Sequence, residues 1–225
     1  MRIGLAGAAS LALILATASA RAEEQLPVRF EAGARVGIGL PIGKAAGVSQ
    51  NSPQGTSLGD LVAWTVPLQL DIGARIGPVF VGGRASYAFG KTGSSFDAAS
   101  SRSVSDVRVG FEVLWHFAAD HQVDPWAGIG VGYEWLNLSA SASNGSVVYA
   151  TLRGFEWVNV QVGIDFALGR TFRIGPYLES SVGQYDSASG GIINVQGGEI
   201  GGSTDVQSKA VHAWIGFGLR FAVLL

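Results

Sequence analysis

The chain has no cysteine, so no disulfide can hold it. Charge is scarce: Asp, Glu, Lys and Arg make up 14% of the residues, against about 25% in soluble domains. Lysine occurs only as Lys44, Lys91 and Lys209, too few for an ordinary solvated surface. The balance of 15 basic against 17 acidic residues leaves a net charge of −2, which excludes the basic footprint of a nucleic-acid-binding protein. Long apolar runs are also missing. Beyond residue 22 none reaches the roughly 20 residues that a membrane helix needs. What is plentiful is glycine, at 33 of 225 residues, about twice the usual ~7%. An apolar chain without spanning helices leaves the membrane β-barrel as the leading architecture.

The N-terminus reads as a cleavable export signal. Arg2 supplies the positive end, Leu5 to Ala18 the apolar stretch, and Ala20-Arg21-Ala22 a small-x-small cleavage site. Residues 1–22 are therefore expected to be removed, leaving 23–225 as one domain.

Side chains alternate across a β-strand, so a period of two betrays a strand with two unlike faces. The last stretch, 206–225, shows it most clearly. Val211, Ala213, Ile215, Phe217, Leu219, Phe221, Val223 and Leu225 form one apolar face, with His212, Trp214, Gly216, Gly218 and Arg220 between them. A strand that runs to the chain end needs a partner, and closure into a barrel supplies one. Seven further segments alternate in the same way, at about 28–40, 61–76, 79–90, 104–117, 125–138, 155–168 and 172–185. In the second, Val62, Trp64 and Val66 belong to the apolar face; in the sixth, Val158 and Val160 are apolar while Trp157 and Asn159 oppose them. Pro67 and Pro176 fall inside segments and are expected to mark bulges or strand ends.

Eight strands predict an all-β, antiparallel, up-and-down transmembrane barrel. Short turns such as Gly77-Pro78 alternate with long connections holding Gln50 to Gly55, Thr92 to Ser103, Ser139 to Ser146 and Ser187 to Gly202. That alternation is the outer-membrane pattern, with long loops extracellular and both termini periplasmic.

The same periodicity fits a soluble barrel turned inside out, and the polar face decides between them. It carries Arg29, Arg35, Arg75, Arg84, Arg108 and Arg220 with Glu31, Asp71, Asp106, Glu112, Glu134, Asp165 and Glu179. Near-balanced charge with many glycines suits a narrow lumen packed by ion pairs. The apolar faces carry no charge, as a lipid-facing wall requires. Aromatics mark two girdles: Trp64, Tyr87, Phe89, Tyr133 and Trp135 near the long loops, and Trp115, Phe117, Phe166, Phe172 and Phe221 near the short turns.

On these residues the chain resembles the small outer-membrane β-barrel proteins of Gram-negative bacteria, the group that includes the OmpA membrane domain, OmpX, OmpW and the opacity-type proteins. Trp214-Ile215-Gly216-Phe217-Gly218-Leu219-Arg220-Phe221 looks like their closing-strand signal, although theirs usually stops at a terminal Phe and this one continues to Leu225. The resemblance implies insertion by the barrel assembly machinery and contact with outer-membrane lipids and lipopolysaccharide. It does not fix an activity or an oligomeric state.

Candidate chemical sites are weak. Gly128-Ile129-Gly130-Val131-Gly132 superficially resembles a nucleotide-binding loop, but no helix follows and the alternation runs through it. Asp120, His121 and Asp124 share one short turn and could ligate a metal, yet read better as solvated turn residues. A Ser-His-acid site needs a serine beside a histidine, whereas His116 and His212 fall on the polar face beside Glu112 and Arg220 in sequence. No cofactor, metal or catalytic residue is expected. The expected function is non-enzymatic, structural or surface-interacting, with a mostly plugged lumen. The alternatives are a narrow pore for small solutes or ions, and a lipid-modifying enzyme.

Overall fold

The computed structural model describes residues 28–48, 54–96, 99–193, 199–206 and 208–225. Residues 1–22, expected as an export signal, and parts of three long connections (49–53, 97–98 and 194–198) lie outside the described residues.

Eight long strands form the wall: β1 (Val28–Ala46), β3 (Val62–Ile76), β4 (Val79–Thr92), β5 (Ser101–His116), β6 (Val123–Ser141), β7 (Val147–Leu168), β8 (Phe172–Ile193) and β10 (Val211–Leu224). Two accessory strands, β2 (Thr56–Ser57) and β9 (Glu199–Asp205), and a one-turn helix α1 (Leu58–Leu61) decorate the long-loop end. Each wall strand is antiparallel to its sequence neighbour, and β10 pairs with both β8 and β1 to close the ring. The predicted eight-stranded up-and-down barrel is the observed fold.

The register shows how the wall is wound. From Phe30 the lateral pairs run Ala74, Val81, Val113, Ile129, Val160, Ser180, Ile215 and back to β1 at Leu40, ten residues higher. A stagger of that kind accompanies strands tilted by about 35–45°, and at eight strands the interior is only wide enough for side chains. Most of the side chains along this walk face outward, and Val81, Ile129 and Val160 are each about half exposed, at 49%, 56% and 49%. An apolar outer belt over a polar interior is the inverse of a soluble protein and the arrangement of a membrane barrel.

The start of β1 and the last residue, Leu225, meet at the short-turn end. Phe30 N–H donates to Leu225 O at 3.1 Å and Leu225 N–H donates to Phe30 O at 2.9 Å. The carbonyl and amide of the last residue thus extend the ladder, and Leu225 keeps the outward parity expected of it. At the same end Gly77 takes a φ of 59°, a left-handed value that the tight turn before Pro78 requires and that favours glycine.

Four sequence expectations need correction. Pro67 and Pro176 neither end a strand nor shift register. The β1 ladder skips the pairs beside Pro67, between Val36↔Leu68 and Gly39↔Thr65, then resumes in step. The β7 ladder does the same beside Pro176, between Gly163↔Tyr177 and Phe166↔Ile174. Each proline lacks one donor, but neighbouring pairs on both sides hold the strand in line.

Bulges occur elsewhere, and they overturn two face assignments. β7 carries an extra residue at 157–158, so Glu156 and Asn159 both face inward while Trp157 points out, 45% exposed. β3 carries another just after Val62, which turns Val62 into the interior. An inserted residue flips the alternation on one side of it, and strict period two cannot register that.

The long connection expected between the segments 125–138 and 155–168 is largely strand. β6 and β7 continue to Ser141 and from Val147, joined only by residues 142–146. Much of Ser187–Gly202 is likewise a hairpin of β8 and β9. At 22 residues each, β7 and β8 are about twice the length a membrane requires, so this part of the sheet stands above the membrane belt. Finally, Asp124, expected as a solvated turn residue, lies at the start of β6 and is fully buried.

Candidate functional site

The interior is one continuous polar column capped by an apolar plug. Every strand contributes to it through its inward parity, and cross-strand neighbours bring residues distant in sequence within hydrogen-bond reach.

At the short-turn end Arg75 bridges Glu31 at 3.2 Å and Asp124 at 3.1 Å. Asp124 also accepts from Arg173 at 3.1 Å, from His116 Nδ1 at 2.9 Å and from the Ala118 amide at 3.1 Å. Arg220 reaches across to Glu31 at 2.5 Å and also binds Asp165. Asp165 takes a further bond from Trp126 Nε1 at 3.1 Å.

One level up, Arg35 donates to Asp71 at 2.8 Å, to Glu112 at 3.0 Å and to Gln161. Gln69 and Gln161 bind the remaining oxygens of Asp71 and Glu112 at 2.8 and 2.9 Å. Arg84 binds Glu156. The Arg35 guanidinium lies 5.4 Å from the Trp126 ring centre and 5.6 Å from that of Tyr177.

The next level centres on Glu134. It accepts from Tyr185 Oη at 2.5 Å, from Trp214 Nε1 at 3.1 Å and from His212 Nε2 at 3.0 Å. Arg108 binds Asp106 at 2.6 Å and lies 3.8 Å from both Glu134 and Glu156. The rings of Tyr185 and His212 stack at 4.1 Å.

Above this the interior turns apolar. Ala45, Leu58, Val62, Val104, Leu136 and Leu138 pack over Tyr185 and Trp214. Leu58 comes from α1, so the long-loop end is stoppered by a piece of the first connection. A second apolar cluster, Phe80, Leu114, Trp126 and Tyr177, fills gaps among the lower ion pairs. Glycines make room for these large groups: a Cβ on Gly216 would stand 2.8 Å from Glu179 Oε1, and one on Gly37 would stand 2.9 Å from Tyr177 Oη.

Of the thirteen charged residues read from the sequence, eleven sit in these bonded clusters: Glu31, Arg35, Asp71, Arg75, Arg84, Asp106, Arg108, Glu112, Glu134, Asp165 and Arg220. Two do not. Arg29 shares their face but stands exposed at the short-turn mouth. Glu179 is half-buried beside a small interior cavity of about 20 Å³, and its Oε2 has no partner among the described residues. Sequence reading misses Glu156, hidden by the β7 bulge, and Asp124, which the chain order places in a turn. Gln69 and Gln161 fall on the polar face by alternation and are indeed inside, whereas Arg173 is missed, as are the buried side chains of Phe80, Leu114 and Trp126, which alternation places inside but hydropathy does not flag.

Both buried histidines give a ring nitrogen to a carboxylate rather than to a serine. Asp120, His121 and Asp124 do not converge, and no metal-holding group of three occurs among the described residues.

The fold has known counterparts. The chain is similar in structure to a major outer membrane protein from Thermus thermophilus, with a TM-score of 0.57 and 12% identity over 88% of this chain and 100% of that one. The fold is an outer-membrane β-barrel. Looser likenesses join it to Neisserial surface protein A (TM-score 0.45, 13% identity, 86% of this chain and 95% of that one) and to AlkL, seen in lipid bilayers (TM-score 0.46, 13% identity, 92% and 95%). At such identities the shared property is the fold alone. No protein-family model matches the chain, and no curated protein sequence matches it significantly.

Proposed function

We propose that this protein is a closed, non-enzymatic barrel of the bacterial outer membrane that serves a structural or surface-interaction role. The carrying observation is the filled lumen, in which bonded ion pairs run from Asp124 up to Glu134 and the Leu58 plug covers them. An open aqueous path would need these pairs parted, and breaking buried pairs is costly. The two-sided arrangement of loops supports periplasmic termini and an extracellular β6–β9 extension. That extension is the natural contact surface, since it stands above the belt and exposes Ile192, Ile200 and Val148. The arrangement of His116 and His212, each held by a buried acid with no serine partner among the described residues, favours the non-enzymatic reading over lipid modification.

Planar-bilayer recording tests it. Purified protein is expected to give no steady unitary conductance. A reproducible conductance step would establish the narrow-pore alternative instead. Lipid A mass spectra with and without expression are expected to be identical, and a changed acylation pattern would establish the enzyme.

A further inference from the structure

Inside the barrel each lumen-facing arginine is tied to a carboxylate: Arg35, Arg75, Arg84, Arg108, Arg173 and Arg220 all have one within 4 Å. The short-turn mouth breaks this pattern. Two adjoining cavities open there, of about 240 and 450 Å³, and share Arg29 and Asp120 as a common wall. The first is also lined by Arg75 and His116, the second by Arg170 and Arg173. Arg29 starts β1 and Arg170 sits in the β7–β8 turn, so the two approach from separate parts of the ring. Neither makes a hydrogen bond or ion pair among the described residues.

His116 stands beside these arginines. Its side chain has no solvent exposure, and its Nδ1 is committed to Asp124. Its Nε2 is buried and has no partner, although the ring lines the smaller cavity. A buried ring nitrogen left unbonded costs free energy unless a ligand or water meets it.

We propose that this mouth is a binding site for a phosphate oxyanion. Arginine's planar fork suits phosphate oxygens, often in bidentate pairs. Four arginines face the two cavities against one acid in their lining, Asp120. Asp124 and Glu31 neutralise Arg75 and Arg173, which leaves Arg29 and Arg170 as the uncompensated charge among the described residues. Phosphate can arrive free or as a lipid headgroup. Phe117, 66% exposed, lines the smaller cavity at the edge of the apolar belt, so the site opens at headgroup height for a lipid of that leaflet. The lipid source rests on the membrane placement proposed above; the free-anion source does not.

The test uses the protein extracted from membranes into a neutral detergent, with two probes. Inorganic phosphate is titrated and followed by ³¹P line broadening. Separately, native mass spectra are recorded after exchange into micelles holding phosphatidylglycerol or phosphatidylcholine. At least one probe is expected to bind saturably, with phosphatidylglycerol retained over phosphatidylcholine in the second arm. The double variant Arg29→Gln/Arg170→Gln should weaken that binding about tenfold or more, and Asp120→Asn should strengthen it. All three positions are at the mouth rather than in the packed column, and the faster gel migration of unboiled samples verifies that each variant is folded. Binding of inorganic phosphate alone identifies a free anion, and binding of phosphatidylglycerol alone identifies a lipid. Absence of both, or binding that the double variant leaves unchanged, overturns the site. A conducting barrel would overturn the closed-lumen reading and leave this result standing.

Discussion

Arg220 shows how a single side chain is held and what it holds. It is fully buried, bridges Glu31 of β1 to Asp165 of β7, and lies 5.2 Å from the Trp126 ring centre. Replacing it by methionine keeps much of the volume but takes the counter-charge from buried Asp165 and leaves Glu31 with Arg75 alone. Arg220→Met is expected to cost about 3–5 kcal/mol, read as a lower urea midpoint for unfolding from lipid vesicles. Arg29→Gln changes the same residue type at the exposed mouth and should leave that midpoint nearly unmoved. Alternation alone puts both arginines on one face. It does not show that one is at the centre of a network and the other at its rim, because depth along a tilted strand is set by register with neighbours.

Strands, rather than residues, carry the membrane argument. Val109 lies midway along β5, faces outward and pairs with Ala85 and Tyr133. Val109→Arg should cost about 2–4 kcal/mol in a bilayer, measured by the same urea titration. The β7 bulge makes a sharper prediction. Strict alternation places Trp157 in the lumen, whereas the register turns it outward. Trp157→Phe should therefore remove a component of fluorescence that bromine-labelled lipid chains quench. Unchanged quenching would put the ring inside. The close approach of β1 and β10 at Gly37↔Gly218 is a third property of elements. A Cβ on Gly218 would strike the Val36 carbonyl, so Gly218→Ala is expected to destabilise by about 1–3 kcal/mol and to slow refolding into vesicles.

The whole molecule behaves as a closed ring, since β10 must pair with both β8 and β1 before any edge disappears. Such a ring should resist detergent until heated, so unboiled protein is expected to migrate faster on gels than boiled protein. Comigration would contradict the closed barrel. Truncating Phe221–Leu225 removes the pairs from Glu31↔Leu224 to Ala34↔Phe221 and the bonds between Phe30 and Leu225. That variant is expected to lose the heat-dependent shift, because the ring is left open at the short-turn end.

The strand count, the outward belt, the closing role of the last strand and most of the inward charges could be read directly from the chain. These are local consequences of period two: a side chain's face follows from its neighbours in sequence. Three things could not. The bulges at 63 and 157–158 alter parity without any mark in hydropathy, because what defines a bulge is the partner strand. Asp124 and Glu156 became part of the column only when β6 and β7 were paired and their ends placed. The pairing of each arginine with its acids, over separations as long as Glu31 to Arg220, depends on a ring closed with a fixed stagger. Alternation assigned most of the charges to the lumen; closure decided which charges meet, and left Arg29 and Arg170 at the mouth with no partner among the described residues.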